Sequence, residues 1–231
     1  SYLVRILAVE SVYLLLAMSI FIGIFFLPWV QPVKEEVKPR PFKPYYVFNG
    51  KMLVLFPLIF GANFLQAQVF TAMNIIIIGL MGVVSIALLV TVIKVSNIAG
   101  SFSSGVIAGR FSKPVLLIIL TFTAIFGIFL FVGTSIHFLV LFSLVLLGFS
   151  MAAIYPVCLA WLKEKLSAEE YLNSLGVFHV YSNIGVLFAI AANLKLSVEA
   201  SFIPGFVALF LALPGIMLFR NFSHPPAASL N

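Results

Sequence analysis

The chain has 231 residues, of which 63% are hydrophobic and 9% charged, with a formal net charge of +6 and a single cysteine, Cys158. One cysteine inside an apolar run excludes a disulfide framework and a cysteine metal site. Apolar runs longer than the roughly 20 residues needed to cross a bilayer core make the chain a polytopic membrane protein, and basic residues that lie mostly in the breaks between runs report topology, not nucleic-acid binding.

Seven transmembrane helices are expected, at about 3–29, 50–73, 82–108, 114–133, 136–162, 171–194 and 200–220. Continuous apolar character makes helices the default, because lipid cannot satisfy exposed backbone groups. The fold class is therefore all-α, a membrane helix bundle. The first run, Leu3–Val30, exceeds the roughly 7–15 apolar residues of a signal-peptide core and reads as a true span. A start at Ser1 in place of methionine reads as a fragment or a processed product.

Gln31–Tyr46 carries Pro32, Pro39, Pro41 and Pro44 among Lys34, Glu35, Glu36, Lys38, Arg40 and Lys43. Such a composition gives an extended linker. The chain thus divides into a single span at 1–30, a cytoplasmic linker at 31–49, a six-helix bundle at 50–220 and a cytoplasmic tail at 221–231. Between the second and third spans the turn signals are only Thr71, Asn74, Gly79 and Gly82, so the break is expected near Asn74–Gly79.

Charge fixes the orientation. With the linker inside, the inner breaks hold Lys34, Lys38, Arg40, Lys43, Lys51, Arg110, Lys113, Lys163, Lys165 and Arg220, against Arg5 and Lys195 outside. This positive-inside bias sets the chain start outside and the end in the cytoplasm of a cell whose plasma membrane it crosses several times.

Polar side chains within spans are costly and call for a function or a partner. Lys94, Asn97, Ser101 and Ser104 recur at helical spacing and share one face of the third span, with Lys94 and Asn97 the candidate solute contacts on it. Lys94 admits three readings: contact with a solute or counter-ion, snorkelling to the outer headgroups, or an internal pair. Glu10, the one acid within a span, pairs with Arg5 or serves proton coupling. In the second span Asn63 and Gln66 share a face with Phe70, and Gln68 points elsewhere. In the sixth, His179 and Asn183 lie one turn apart in FHVYSNIG. Each of these four is either a solute contact or an interhelical hydrogen bond, the latter worth about 0.6–2 kcal/mol. In the fifth span Gly148, Met151, Tyr155 and Cys158 follow one face, and Pro156 should kink the helix, making Tyr155 a cavity residue or packing beneath the kink. Gly61, Gly127, Gly176 and Gly185 suit close helix packing.

The loop GSFSSGVIAGRFSKP (Gly100–Pro114) closes the third span with small residues, sets Arg110 and Lys113 in a tight turn and opens the fourth span at proline. It resembles the loop between the second and third helices of each half of the major facilitator superfamily, G-x-x-x-D-R-x-G-R-[RK]. Gly105, Arg110 and Lys113 match, with Gly109 in place of aspartate and Ser112 in place of glycine. The missing aspartate weakens the expected latch. The resemblance implies the sixth helix of an N-terminal half followed by a complete C-terminal half, itself two inverted three-helix repeats. It also implies that the second and fifth spans line a central cavity and that the third and sixth face the other half. Secondary transport of a small solute by alternating access follows as the expected function. The partners are that solute, with a coupling proton or ion, the bilayer and an N-terminal six-helix half. The expected solute is anionic or neutral and polar, or else an amphipathic drug-like molecule.

Against this stand a seven-helix receptor or sensor and a non-transporting membrane subunit. A retinal-type receptor needs a lysine in its last helix, and 200–219 has none. No enzyme, cofactor or metal is expected: His137, His179 and His224 fall in separate segments with no aspartate to orient them.

Overall fold

The structure, a computed structural model, describes residues 50–81 and 84–220. The expected first span, Glu10, the linker and the tail lie outside the described residues. Among the described residues every regular element is helical. After a one-turn lead-in at Gly50–Leu53 come α1 (Phe56–Met81), α2 (Val84–Ala108), α3 (Lys113–Gly133), α4 (His137–Lys165), α5 (Ala168–Lys195), a 3-10 turn (Ala200–Phe202) and α6 (Ile203–Arg220). Five stretches, Leu88–Ala108, Lys113–Gly133, His137–Lys165, Glu170–Lys195 and Ala200–Arg220, are long and apolar enough to cross a membrane. At 26 residues α1 has the length to do so as well. The described residues therefore form a bundle of six long helices, not seven.

The largest difference from the sequence expectation is at the end of α1. The break expected at Asn74–Gly79 is absent: α1 is helical through to Met81. Opening a turn inside an apolar run would strand backbone groups, so the helix continues through Asn74–Gly79. Elsewhere the ends are set by local chemistry. Pro114 occupies the first turn of α3, where its missing N–H has no helix partner to lose. Ser167 and Glu170 form a capping box that starts α5 three residues earlier than the apolar pattern suggests.

The packing follows a single rule. Taken as two triplets, α1–α3 and α4–α6, the first helix of each packs on the second and third of the other: α1 on α5 and α6, α4 on α2 and α3. The third helices, α3 and α6, also touch. The two triplets run in opposite directions. Lys113 at the start of α3 is ion-paired with Glu164 at the end of α4, and Lys165 Nζ donates to the Arg220 carbonyl that ends α6. Gly215 near that end of α6 lies against Val54, just before α1. So α1 begins on the side where α4 ends.

Glycines allow the exchanged contacts to close. A Cβ on Gly100 of α2 would strike the Phe149 carbonyl of α4, and one on Gly185 of α5 would come within 2.6 Å of the Phe60 carbonyl of α1. Each crossing thus brings backbone to backbone, as small residues permit between membrane helices. Gly127 meets Leu147 and Gly61 meets Ala208 and Leu209 in the same close fashion. Gln68, fully buried, pins the α1 side: its Nε2 donates to the Ala189 carbonyl of α5 at 3.0 Å, and its Oε1 accepts from Ser201 at 3.3 Å.

Candidate functional site

A cleft of about 400 Å³ lies among α1, α2, α4 and α5, lined from Ile59 to Gln66 of α1, at Asn97 and Ser101 of α2, from Met151 to Pro156 of α4 and at Phe178 of α5. Its amide side chains come from α1 and α2. Asn63 and Gln66, three residues apart on one face of α1, both line it. Asn63 Nδ2 donates to the Ile59 carbonyl of its own helix at 2.8 Å, which fixes the amide and leaves its oxygen as the acceptor for the cleft. Gln66 is half-buried in the same wall.

From α2 come Asn97 and Ser101, one turn apart. In the orientation that satisfies both carbonyls, the Asn97 amide nitrogen donates to Ile93 at 3.2 Å and across to Gly148 of α4 at 2.7 Å. Ser101 makes the second cross-link. Pro156 has no N–H to give the carbonyl four residues before it, that of Ala152, and Ser101 Oγ donates to this carbonyl at 3.4 Å. Ala152 and Pro156 both border the cleft. Pro156 thus leaves a backbone acceptor at the site.

The opposite wall is aromatic and apolar. Tyr155 lines the cleft with 37% of its surface exposed, and Phe178 of α5 holds it edge-on at 4.7 Å and 85°. Met151 and Ile154 complete this side of α4.

Four of the seven side chains expected at a solute site, Asn63, Gln66, Asn97 and Tyr155, therefore meet in one cleft. The other three lie outside its lining. Lys94, exposed on α2, places its Nζ 4.7 Å from the centre of the Phe70 ring of α1, a cation–π contact. His179 is exposed, its ring tilted against Tyr155 at 6.4 Å, and Asn183 is exposed one turn further along α5. Of the loop residues, Gly105 and Arg110 are exposed, whereas Lys113 pairs with Glu164 at 2.5 Å. That pair ties the loop to the end of α4 without the absent aspartate.

Sequence reasoning missed Phe178 and the Ala152 carbonyl as parts of the site. The carbonyl had a signal, since proline always deprives the residue four before it. Phe178 had none, as it is one of 25 phenylalanines in an apolar chain. No family model, curated protein or solved structure matches this chain.

Proposed function

We propose that the described bundle is one six-helix half of a secondary transporter of the major facilitator type, moving a small solute across the plasma membrane by alternating access. The observation that carries this reading is the exchange of helices between two oppositely directed triplets, with a cleft lined by amides where they meet. Inverted repeats of this kind supply the two related conformations that rocking needs, with the solute held near the bilayer midplane. The loop residues Gly105, Arg110 and Lys113 support the same reading. In the orientation favoured by charge, the α2–α3 turn and the ends of α4 and α6 face the cytoplasm.

A non-transporting subunit would use such amides to join helices, as Gln68 does, whereas Asn63 bonds within its own helix and borders the cleft. A seven-helix sensor depends on the span expected at 3–29.

The test is accessibility from each side. In Cys158→Ala protein reconstituted in vesicles, single cysteines at Gln66 and Asn97 are treated with a membrane-impermeant maleimide from inside or outside. Labelling from both sides is expected, with the balance shifted by solute. Labelling from one side alone under every condition would make the cleft a fixed binding or packing surface. Rocking also requires two bundles, so flux through a strictly monomeric single bundle would contradict this mechanism.

A further inference from the structure

The composition of the cleft names a class of ligand. Among the described residues its lining includes no charged side chain, and Lys94, exposed one turn from Asn97, holds its Nζ over the Phe70 ring. A charged solute would meet no opposite charge in this lining, and an unpaired ion removed from water is strongly disfavoured. What the cleft offers is two unlike walls. One presents primary amides, each carrying an acceptor and donors in one plane, at Asn63 and Gln66. The other presents the Tyr155 ring, held by Phe178.

We infer that the cleft takes an uncharged planar heterocycle of the nucleobase or nucleoside type, its ring laid on Tyr155 and its polar edge turned to Asn63 and Gln66. Asn and Gln amides match the adjacent donor and acceptor of such rings in a bidentate fashion. Aromatic side chains stack on any base through its π-face. The Ala152 carbonyl is within the same lining and accepts from a ring or ribose donor in place of its long bond to Ser101. At about 400 Å³ the cleft falls in the size range of small-molecule sites, roughly 300–1,000 Å³. The inference rests on the reading of this cleft as a solute site.

The experiment is binding of radiolabelled adenosine to the purified chain in lipid nanodiscs, with unlabelled uridine, glucose and adenosine monophosphate as competitors. Adenosine is expected to bind, uridine to displace it and glucose to leave it in place. Adenosine monophosphate, the same ring with a charge added, is expected to compete at least roughly 10-fold more weakly. Tyr155→Phe keeps the stacking face and is expected to retain affinity. Tyr155→Leu and Gln66→Leu are expected to lose roughly 10- to 100-fold. Should either leucine variant fail to fold, the competitor series on the unaltered chain still decides. Absent adenosine binding, displacement by glucose, or equal competition by the monophosphate overturns the inference. Two-sided labelling of the cleft without adenosine binding sinks the ligand class alone. Adenosine binding with labelling from one side only sinks the transporter reading and leaves the ligand class standing.

Discussion

Ser101 Oγ of α2 donates to the Ala152 carbonyl of α4 at 3.4 Å, and that carbonyl is the one Pro156 leaves without a helix partner. The proline and the serine sit on different helices yet act as one device. Ser101→Ala is expected to cost about 0.5–1 kcal/mol, in keeping with hydrogen bonds between membrane helices. Pro156→Ala restores the in-helix donor, so Ser101→Ala should become nearly neutral in that background. A double-mutant cycle of thermal or denaturant unfolding measures the coupling. Equal costs of Ser101→Ala in both backgrounds would show that the contribution of Ser101 does not depend on the carbonyl that Pro156 leaves free.

Gly100 and Gly105 lie on the same helix and separate packing from propensity. A Cβ at Gly100 would run into the Phe149 backbone of α4, whereas Gly105 has no atom within 4 Å of that position. Gly100→Ala is expected to destabilise by about 1–3 kcal/mol through overpacking. Gly105→Ala is expected to be neutral or to stabilise by up to about 1 kcal/mol, since alanine favours helix. Unfolding midpoints of the two variants provide the comparison.

Gln68 is fully buried and joins α1 to α5 and to the 3-10 turn before α6. Gln68→Leu removes both bonds but leaves Ser201 its own bond to Val198 at 2.6 Å. The expected cost is therefore moderate, about 1–2 kcal/mol. Gln68→Glu should cost more, because it sets a carboxylate against the Ala189 carbonyl in a buried site. Stability measured for the pair checks this order.

The Lys113–Glu164 pair is partly open to water, with side-chain exposures of 18% and 53%. Its coupling energy is expected to be about 0.2–1 kcal/mol and to fall as salt rises. Lys113→Ala, Glu164→Ala and the double variant, unfolded at low and high ionic strength, give that number. A larger value with no salt dependence would mean that the pair is shielded by a further contact.

Much of this protein is written in one dimension. Six of the seven expected spans coincide with the six long helices of the described residues, because in lipid every apolar run of sufficient length has to close its hydrogen bonds within itself. The shared face of Asn63 and Gln66, and the divergence of Gln68 from it, follow from helical period alone. The one misplaced break, at Asn74–Gly79, was read from weak turn residues against that stronger demand.

Tertiary structure decided which polar groups belong together. Lys94 and Asn97 are one turn apart on α2, but Lys94 turns to Phe70 of α1 and Asn97 to Gly148 of α4. No spacing rule distinguishes them, because the partner of each is set by which helix crosses at that height. The exchange of α1 and α4 between triplets was equally hidden, since it depends on contacts between residues far apart in the chain. Sequence alone thus fixed where the helices run and on which faces their amides lie. Only packing, through glycine crossings that bring distant backbones into contact, gathered four of those side chains into one cleft and left three outside it.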